Sequence, residues 1–173
     1  FGFSINQLPT LLKETKNKNI KIIALHFHSG TQQNLIQYQD FLKQANKITT
    51  NLETKLQIKY INLGGGLPDK QQLKNQNVNL EDYIKAIATI FQSQIQNNKK
   101  IILEPGRILT ADTFQLITKV ISIKNKNNKT YAILDAGINL LPKITLANYK
   151  FSKIKTKNHK DNTKQKKQTY QLS

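Results

Sequence analysis

Four apolar runs in this chain end in a polar or glycine-rich cluster, where a parallel β-strand would end. The junctions lie at Leu25–His26, Leu63–Gly64, Leu103–Glu104 and Leu134–Asp135. Parallel strands present their carboxyl ends on one side of a barrel or open sheet, and sites are built there. The first three of these clusters are therefore expected to share one rim. A rim with an imidazole, glycine amides, a carboxylate and a guanidinium can hold a phosphorylated heteroaromatic cofactor.

Helical periodicity alternates with the first three apolar runs. We predict helices over Leu8–Lys16, Leu35–Leu52 and Leu80–Gln96, and strands over Lys21–Leu25, Lys59–Leu63 and Lys100–Leu103. Asn79 is a candidate N-cap for the third helix, with Asp82 as its partner three residues later. This alternation predicts an α/β fold built from right-handed βαβ units around a parallel sheet.

The pattern changes after Arg107. A β-branched segment over Phe114–Ile123, a polar turn over Asn125–Lys129 and a strand over Thr130–Leu134 together predict a hairpin outside the α/β part. Residues 150–168 are mostly Lys, Asn, Gln and Thr, a composition typical of disorder. Apolar residues suggest weak strands at the edges of this segment, at Phe151, Ile154 and Tyr170–Leu172.

Composition excludes some classes of protein and leaves one open. The chain has 173 residues without Cys or Met, so we expect no disulfides, a cytoplasmic location and a natural start other than Phe1. No apolar stretch approaches the length of a membrane helix. The net charge of +17 would be compatible with binding to nucleic acid. Lysines spread along the chain, with one arginine at Arg107, fit a solvated surface better, and we expect no nucleic-acid or membrane partner.

Each cluster has a structural alternative to its functional interpretation. Gly64, Gly65 and Gly66 can form an anion-binding nest of amides or simply a tight turn. Glu104 and Arg107 can serve a ligand or pair with each other. For His26 and His28 we expect at most one to face the rim. A metal site would need a third ligand beside them, and we predict none.

The ordered motifs resemble the fold-type III pyridoxal-phosphate decarboxylases, the family of diaminopimelate, ornithine and arginine decarboxylases. The segment Leu25–Gln32 resembles its His-x-His-x-Gly-Ser-Gln motif, and Ile61–Gly66 resembles its triple-glycine loop. The segment Leu103–Arg107 resembles its Glu-Pro-Gly-Arg motif, and Ile133–Asn139 resembles the segment that enters its second, β-rich domain. Phe1-Gly2 fits a turn before one of its barrel helices.

The resemblance implies a fold and a cofactor. The expected fold is part of a (β/α)8 TIM barrel of the alanine-racemase type, over residues 1–112. The start of a C-terminal β-domain would follow over residues 113–173. The implied cofactor is pyridoxal 5'-phosphate, the substrate is an amino acid, and the full-length parent is a homodimer.

The resemblance also assigns roles to residues of this chain. His28 would stack on the cofactor ring, and Glu104 would keep the ring nitrogen protonated; both count as catalytic. Phosphate would be bound by the Thr31 hydroxyl and by glycine amides. The implied cofactor-binding set is His28, Thr31, Gly64, Gly65, Gly66, Glu104, Gly106 and Arg107. Arg107 would bind either phosphate or a substrate carboxylate.

The implied reaction is α-decarboxylation of a basic or diamino acid. Diaminopimelate-type members carry an Arg-Pro where this chain has Leu140-Leu141-Pro142, so the substrate stays open. The family's Schiff-base lysine lies on a strand upstream of Phe1, so we expect this chain alone to be inactive and poorly stable. The alternatives are a non-catalytic truncated remnant and a racemase on a related barrel, which Glu104 disfavours.

Overall fold

The computed structural model describes residues 2–141, 151–152 and 154, and the backbone of 171–172. Its helices are α1 (Leu8–Asn17), α2 (Leu35–Glu53), α3 (Lys70–Gln76), α4 (Leu80–Ile90), α5 (Gln92–Gln96) and α6 (Arg107–Thr110), with a 3-10 turn at Ile5–Gln7. Its strands are β1 (Ala24–His26), β2 (Tyr60–Asn62), β3 (Lys100–Ile102), β4 (Val120–Lys126), β5 (Lys129–Leu134) and β6 (Gln171–Leu172).

The first compact unit, Phe1–Phe114, contains a parallel sheet in the order β1-β2-β3. The register pairs Leu25 with Ile61 and Ile61 with Ile101. A helical segment connects each strand to the next, so the predicted βαβ succession is confirmed. The first strand begins later than predicted. Strand β1 covers Ala24–His26, whereas the sequence predicts Lys21–Leu25.

Helices α2 and α4 pack together and cover the sheet with one apolar cluster. Tyr38, Leu42 and Tyr83 are fully buried in it, as is Ile61 of the central strand. Burying a large apolar side chain contributes about 1.5–3 kcal/mol. Since these residues recur at helical spacing, the same periodicity that predicts the helices also fixes which face meets the sheet.

Two helical features differ from the sequence prediction. The predicted helix over Leu80–Gln96 is interrupted at Phe91, whose backbone leaves helical angles with φ −100° and ψ 16° while its ring is fully buried. Helix α3 was not predicted, because Leu73 is its single buried residue and no apolar period marks it. Asp69 caps α3 by accepting a hydrogen bond from the Gln72 N–H at 2.9 Å. The predicted capping box of Asn79 with Asp82 is confirmed.

The second compact unit, Gln115–Ser173, contains the predicted hairpin. Strands β4 and β5 are antiparallel, and the backbone of β6 pairs in parallel with β5. The first hairpin strand covers Val120–Lys126, shorter at its start than the predicted Phe114–Ile123. The turn is made by Asn127 and Asn128, both with positive φ, as a two-residue hairpin loop requires. Most of segment 150–168, together with Pro142, lies outside the described residues.

Candidate functional site

Backbone hydrogen bonds continue past the ends of the three parallel strands and align the loops that follow. The Phe27 N–H donates to the Asn62 carbonyl at 2.8 Å, and the Leu63 N–H donates to the Ile102 carbonyl at 2.9 Å. The Glu104 N–H donates to the Gly64 carbonyl at 2.8 Å. The clusters after β1, β2 and β3 therefore lie side by side on one rim of the sheet.

The glycine loop packs directly on its two neighbours. A Cβ at Gly64, where φ is +66°, would lie 2.6 Å from the Phe27 carbonyl oxygen. A Cβ at Gly65 would lie 2.9 Å from the Glu104 carbonyl oxygen, and one at Gly66, where φ is +98°, would collide with the Ser29 hydroxyl. Glycine is therefore required at these positions because the neighbouring loops leave no room for a Cβ atom. A tight turn alone would not impose this requirement.

Two of the three amides in this loop already have acceptors. The Gly64 N–H donates to Asn62 Oδ1 at 2.8 Å, and the Gly65 N–H donates to His28 Nδ1 at 3.2 Å. Within the part of the chain that the structure describes, no acceptor faces the Gly66 N–H. The bond from Gly65 requires Nδ1 of His28 to be unprotonated, because an amide can only donate.

Glu104 presents its carboxylate at the end of β3. Its side chain is 52% exposed, and Oε2 lies 3.8 Å from His26 Nε2. Its Oε1 accepts a hydrogen bond from Asn62 Nδ2 at 2.8 Å. In residues 2–141 it forms no ion pair with Arg107, so the internal Glu–Arg pair considered from sequence is not observed there.

His26, the last residue of β1, and His28, in the loop that follows, both face the rim, so the expectation that at most one would do so was wrong. His26 approaches Glu104, and His28 accepts from Gly65. The physical reason is the period of a strand: residues two apart in extended backbone lie on the same face.

The loop after His28 is tied to the glycine loop from the other side. The Ser29 hydroxyl donates to the Gly65 carbonyl at 3.3 Å, and the Gln33 N–H donates to the Gly66 carbonyl at 3.0 Å. Tyr83 supports the loop from the core, with its hydroxyl 3.0 Å from the Gln33 carbonyl. Burial raises the pKa of Tyr83 above its ordinary value, so the hydroxyl remains a donor.

The remaining predicted site residues lie on the same loops but without comparable contacts. Thr31 is exposed beside the residues just described. Gly106 precedes α6, and no atom lies within 4 Å of a Cβ built on it. Arg107 begins α6 and is half-buried. Among the described residues, no three His, Asp or Glu side chains come together as metal ligands.

Sequence reasoning missed the side chains of Asn62 and Ser29, which connect the loops. The sequence signal for Asn62 was its position two residues before the glycines. The strand register then pairs it with His26 on β1. A polar residue at that point of a strand can reach both loops. Its bond to Glu104 spans 42 residues of sequence, so no local pattern could reveal it.

The family model of the pyridoxal-binding domain of pyridoxal-dependent decarboxylases matches residues 1–111. The chain belongs to this decarboxylase family. A diaminopimelate decarboxylase of Aquifex aeolicus is 32% identical over 153 residues, which cover 84% of this chain and 35% of that protein. A diaminopimelate decarboxylase of Bacteroides thetaiotaomicron is 30% identical over 80% of this chain. The chain spans about a third of the length of these relatives.

Solved structures of decarboxylases share the fold. The diaminopimelate decarboxylase of Helicobacter pylori, complexed with L-lysine, matches with a TM-score of 0.69 and 28% identity, covering 87% of this chain and 38% of that one. A lysine/ornithine decarboxylase of Vibrio vulnificus, complexed with cadaverine, matches with a TM-score of 0.71 and 24% identity over 90% of this chain. The predicted fold, part of a TIM barrel, is therefore confirmed, and the family's cofactor is pyridoxal phosphate.

No helix among the described residues combines the length and the apolar character needed to cross a membrane.

Proposed function

We propose that this rim binds pyridoxal 5'-phosphate as part of an amino-acid α-decarboxylase. The observation that carries the proposal is the position of Glu104: a half-exposed carboxylate at the end of β3, beside the glycine loop and held by Asn62. A carboxylate there can pair with a protonated ring nitrogen, and the bare loop beside it can approach the rest of the cofactor closely.

The residues present fit a phosphorylated ring. Gly66 offers an amide that has no acceptor among the described residues, and Gly106 offers open space where a side chain would stand. The exposed hydroxyl of Thr31 and the guanidinium of Arg107 are suited to an anion. In this proposal Gly64 and Gly65 contribute by close backbone approach, because their amides already serve Asn62 and His28.

Pyridoxal phosphate supplies an electron sink for the charge left when a carboxylate departs as CO2. The task of the protein is then to hold the ring and its proton. Glu104 would keep the proton on the ring nitrogen, and His28 would stack on the ring, its tautomer fixed by the Gly65 N–H. Arg107 would bind the phosphate or the carboxylate of the substrate.

The substrate, partners and domain limits follow the family and are part of the proposal. Relatives complexed with L-lysine or cadaverine support a basic or diamino acid as substrate. We propose a homodimer for the full-length decarboxylase, with the barrel portion over residues 1–112 and the β-domain beginning in 113–173. The lack of Cys supports a cytoplasmic protein, and the dispersed lysines support the absence of nucleic-acid or membrane partners.

Binding to the cofactor-free form of an intact decarboxylase that contains this segment tests the cofactor site. The probe is pyridoxine 5'-phosphate, which lacks the aldehyde that would react with the chain's many lysines. Calorimetry should show saturable binding at one site, in competition with inorganic phosphate. Glu104→Gln should weaken binding without abolishing it, whereas the matched control Glu14→Gln on α1 should leave it unchanged. No binding, or equal binding by both variants, would contradict the proposal.

Turnover tests the role of Glu104. In an intact decarboxylase that contains this segment, Glu104→Gln should retain bound cofactor yet lose most of its CO2 release, because the electron sink weakens without the carboxylate. Near-normal turnover would remove Glu104 from the mechanism.

A further inference from the structure

Asn62 joins the glycine loop to Glu104 through the two ends of one side-chain amide. Its Oδ1 accepts from the Gly64 N–H at 2.8 Å, and its Nδ2 donates to Glu104 Oε1 at 2.8 Å. The Gly64 N–H can only donate, so this bond decides which end of the amide is oxygen. The NH2 group must then face Glu104, where a carboxylate oxygen is the matching acceptor.

Glu104 depends on this contact for its orientation. Its side chain is half-exposed and rotates about several bonds, so holding one rotamer costs entropy. The 3.8 Å approach of His26 Nε2 is longer than a hydrogen bond. Among the described residues, the bond from Asn62 is the one short contact that the carboxylate makes. It occupies Oε1 and leaves Oε2 for another partner.

We propose that Asn62 is a positioning residue that aims Glu104 at the ring nitrogen of the cofactor. This inference rests on the proposed function, since it specifies how the same site holds its carboxylate. Asn62 sits on the central strand, where β1 and β3 flank it, and it can therefore couple the loop that approaches the cofactor to the carboxylate that pairs with it. The competing role is purely local, a turn-forming bond to Gly64.

Asn62→Ser separates these roles. A serine hydroxyl can still accept from an N–H two residues later, as in a serine turn, but it is too short to reach Glu104. If Asn62 acts through Glu104, replacing Asn62 should weaken cofactor binding only when the Glu104 carboxylate is present. A double-mutant cycle with Glu104→Ala measures this coupling.

The binding constant of pyridoxine 5'-phosphate, measured by calorimetry on the cofactor-free form of an intact decarboxylase that contains this segment, is the readout. Asn62→Ser should weaken binding by about 5- to 10-fold in the natural background, or about 1–1.4 kcal/mol, the usual net contribution of one hydrogen bond. In the Glu104→Ala background the same change should weaken it less than about 2-fold. The control Ser29→Ala removes a bond to the glycine loop without touching Glu104, and its effect should be equal in both backgrounds.

The outcomes distinguish the positioning role of Asn62 from the existence of the cofactor site. Equal weakening by Asn62→Ser in both backgrounds would overturn the positioning role and leave the cofactor site intact. A natural chain that does not bind the probe would overturn the cofactor site and the positioning role with it. Circular dichroism verifies folding of each variant, and Asn62→Thr, whose hydroxyl can also accept from the Gly64 N–H, carries the same prediction if the serine variant does not fold.

Discussion

Gly64→Ala tests the packing of the three strand-end loops. Gly64 has φ of +66°, where an L-residue costs about 1–2 kcal/mol. Its Cβ would lie 2.6 Å from both the Phe27 carbonyl oxygen and His28 Nδ1. Relieving such a contact by shifting the neighbours costs about 1–3 kcal/mol. Together these effects should lower the free energy of unfolding by about 2–5 kcal/mol.

Gly106→Ala is the matched control. Its φ is −105°, and no atom lies within 4 Å of a Cβ there. The change should stay within about 0.5 kcal/mol, because no neighbouring atom has to move. Gly65→Ala should be intermediate, because its Cβ would lie 2.9 Å from the Glu104 carbonyl oxygen at an ordinary φ.

Urea unfolding followed by far-UV circular dichroism provides the assay, since the chain has no Trp. With a slope of about 1–3 kcal/mol per M of urea, Gly64→Ala should lower the midpoint by roughly 1 M or more, or be unfolded without urea. Gly106→Ala should unfold with the natural chain. Equal midpoints for Gly64→Ala and Gly106→Ala would refute the loop packing described above.

Three further predictions concern tyrosines and an aspartate. Tyr83→Phe should cost about 1 kcal/mol in urea unfolding, because its hydroxyl contacts the Gln33 carbonyl. Tyr38→Phe should cost nothing, because that buried hydroxyl has no partner among the described residues; a loss as large as that of Tyr83→Phe would contradict this. Burial raises the pKa of Tyr38 from 10.0 to about 12, so its neutral form stabilises the fold fully below pH 10.0 and that contribution disappears as pH rises through about 12. Ultraviolet titration should show one tyrosine ionising last, and one that ionises with the others would argue against burial. The hydrogen bond from Thr118 holds the pKa of Asp135 below its ordinary 3.8, so its stabilisation is present above that value and is lost as pH falls through the lowered one. Carbon NMR should show this pKa rising in Thr118→Val, and an unchanged value would exclude the bond.

The sequence predicted the arrangement of the strand-end loops because two local signals agree there. Helical periodicity located α2 and α4, and each apolar run ended at a distinct polar cluster. Parallel topology then required the clusters after β1, β2 and β3 to be neighbours, which their backbone hydrogen bonds confirm.

What the sequence could not predict depends on contacts between distant residues. Helix α3 is nearly all polar, so only its cap at Asp69 marks it. The break at Phe91 follows from burial of its ring, which no periodicity reveals. The sequence does not distinguish Asn62 from other strand residues. Only the strand register, which pairs it with His26, and its hydrogen bond to Glu104 reveal its role.

NMR mapping with pyridoxine 5'-phosphate tests whether the three strand-end loops form one cofactor site. Backbone amide shifts should concentrate at Gly66, Gly106 and Glu104, with the Asn62 side-chain amide shifting as well. Ile84, exposed on α4, should not respond. Shifts confined to surface lysines, with the glycine loop and Glu104 unchanged, would contradict a cofactor site shared by these loops.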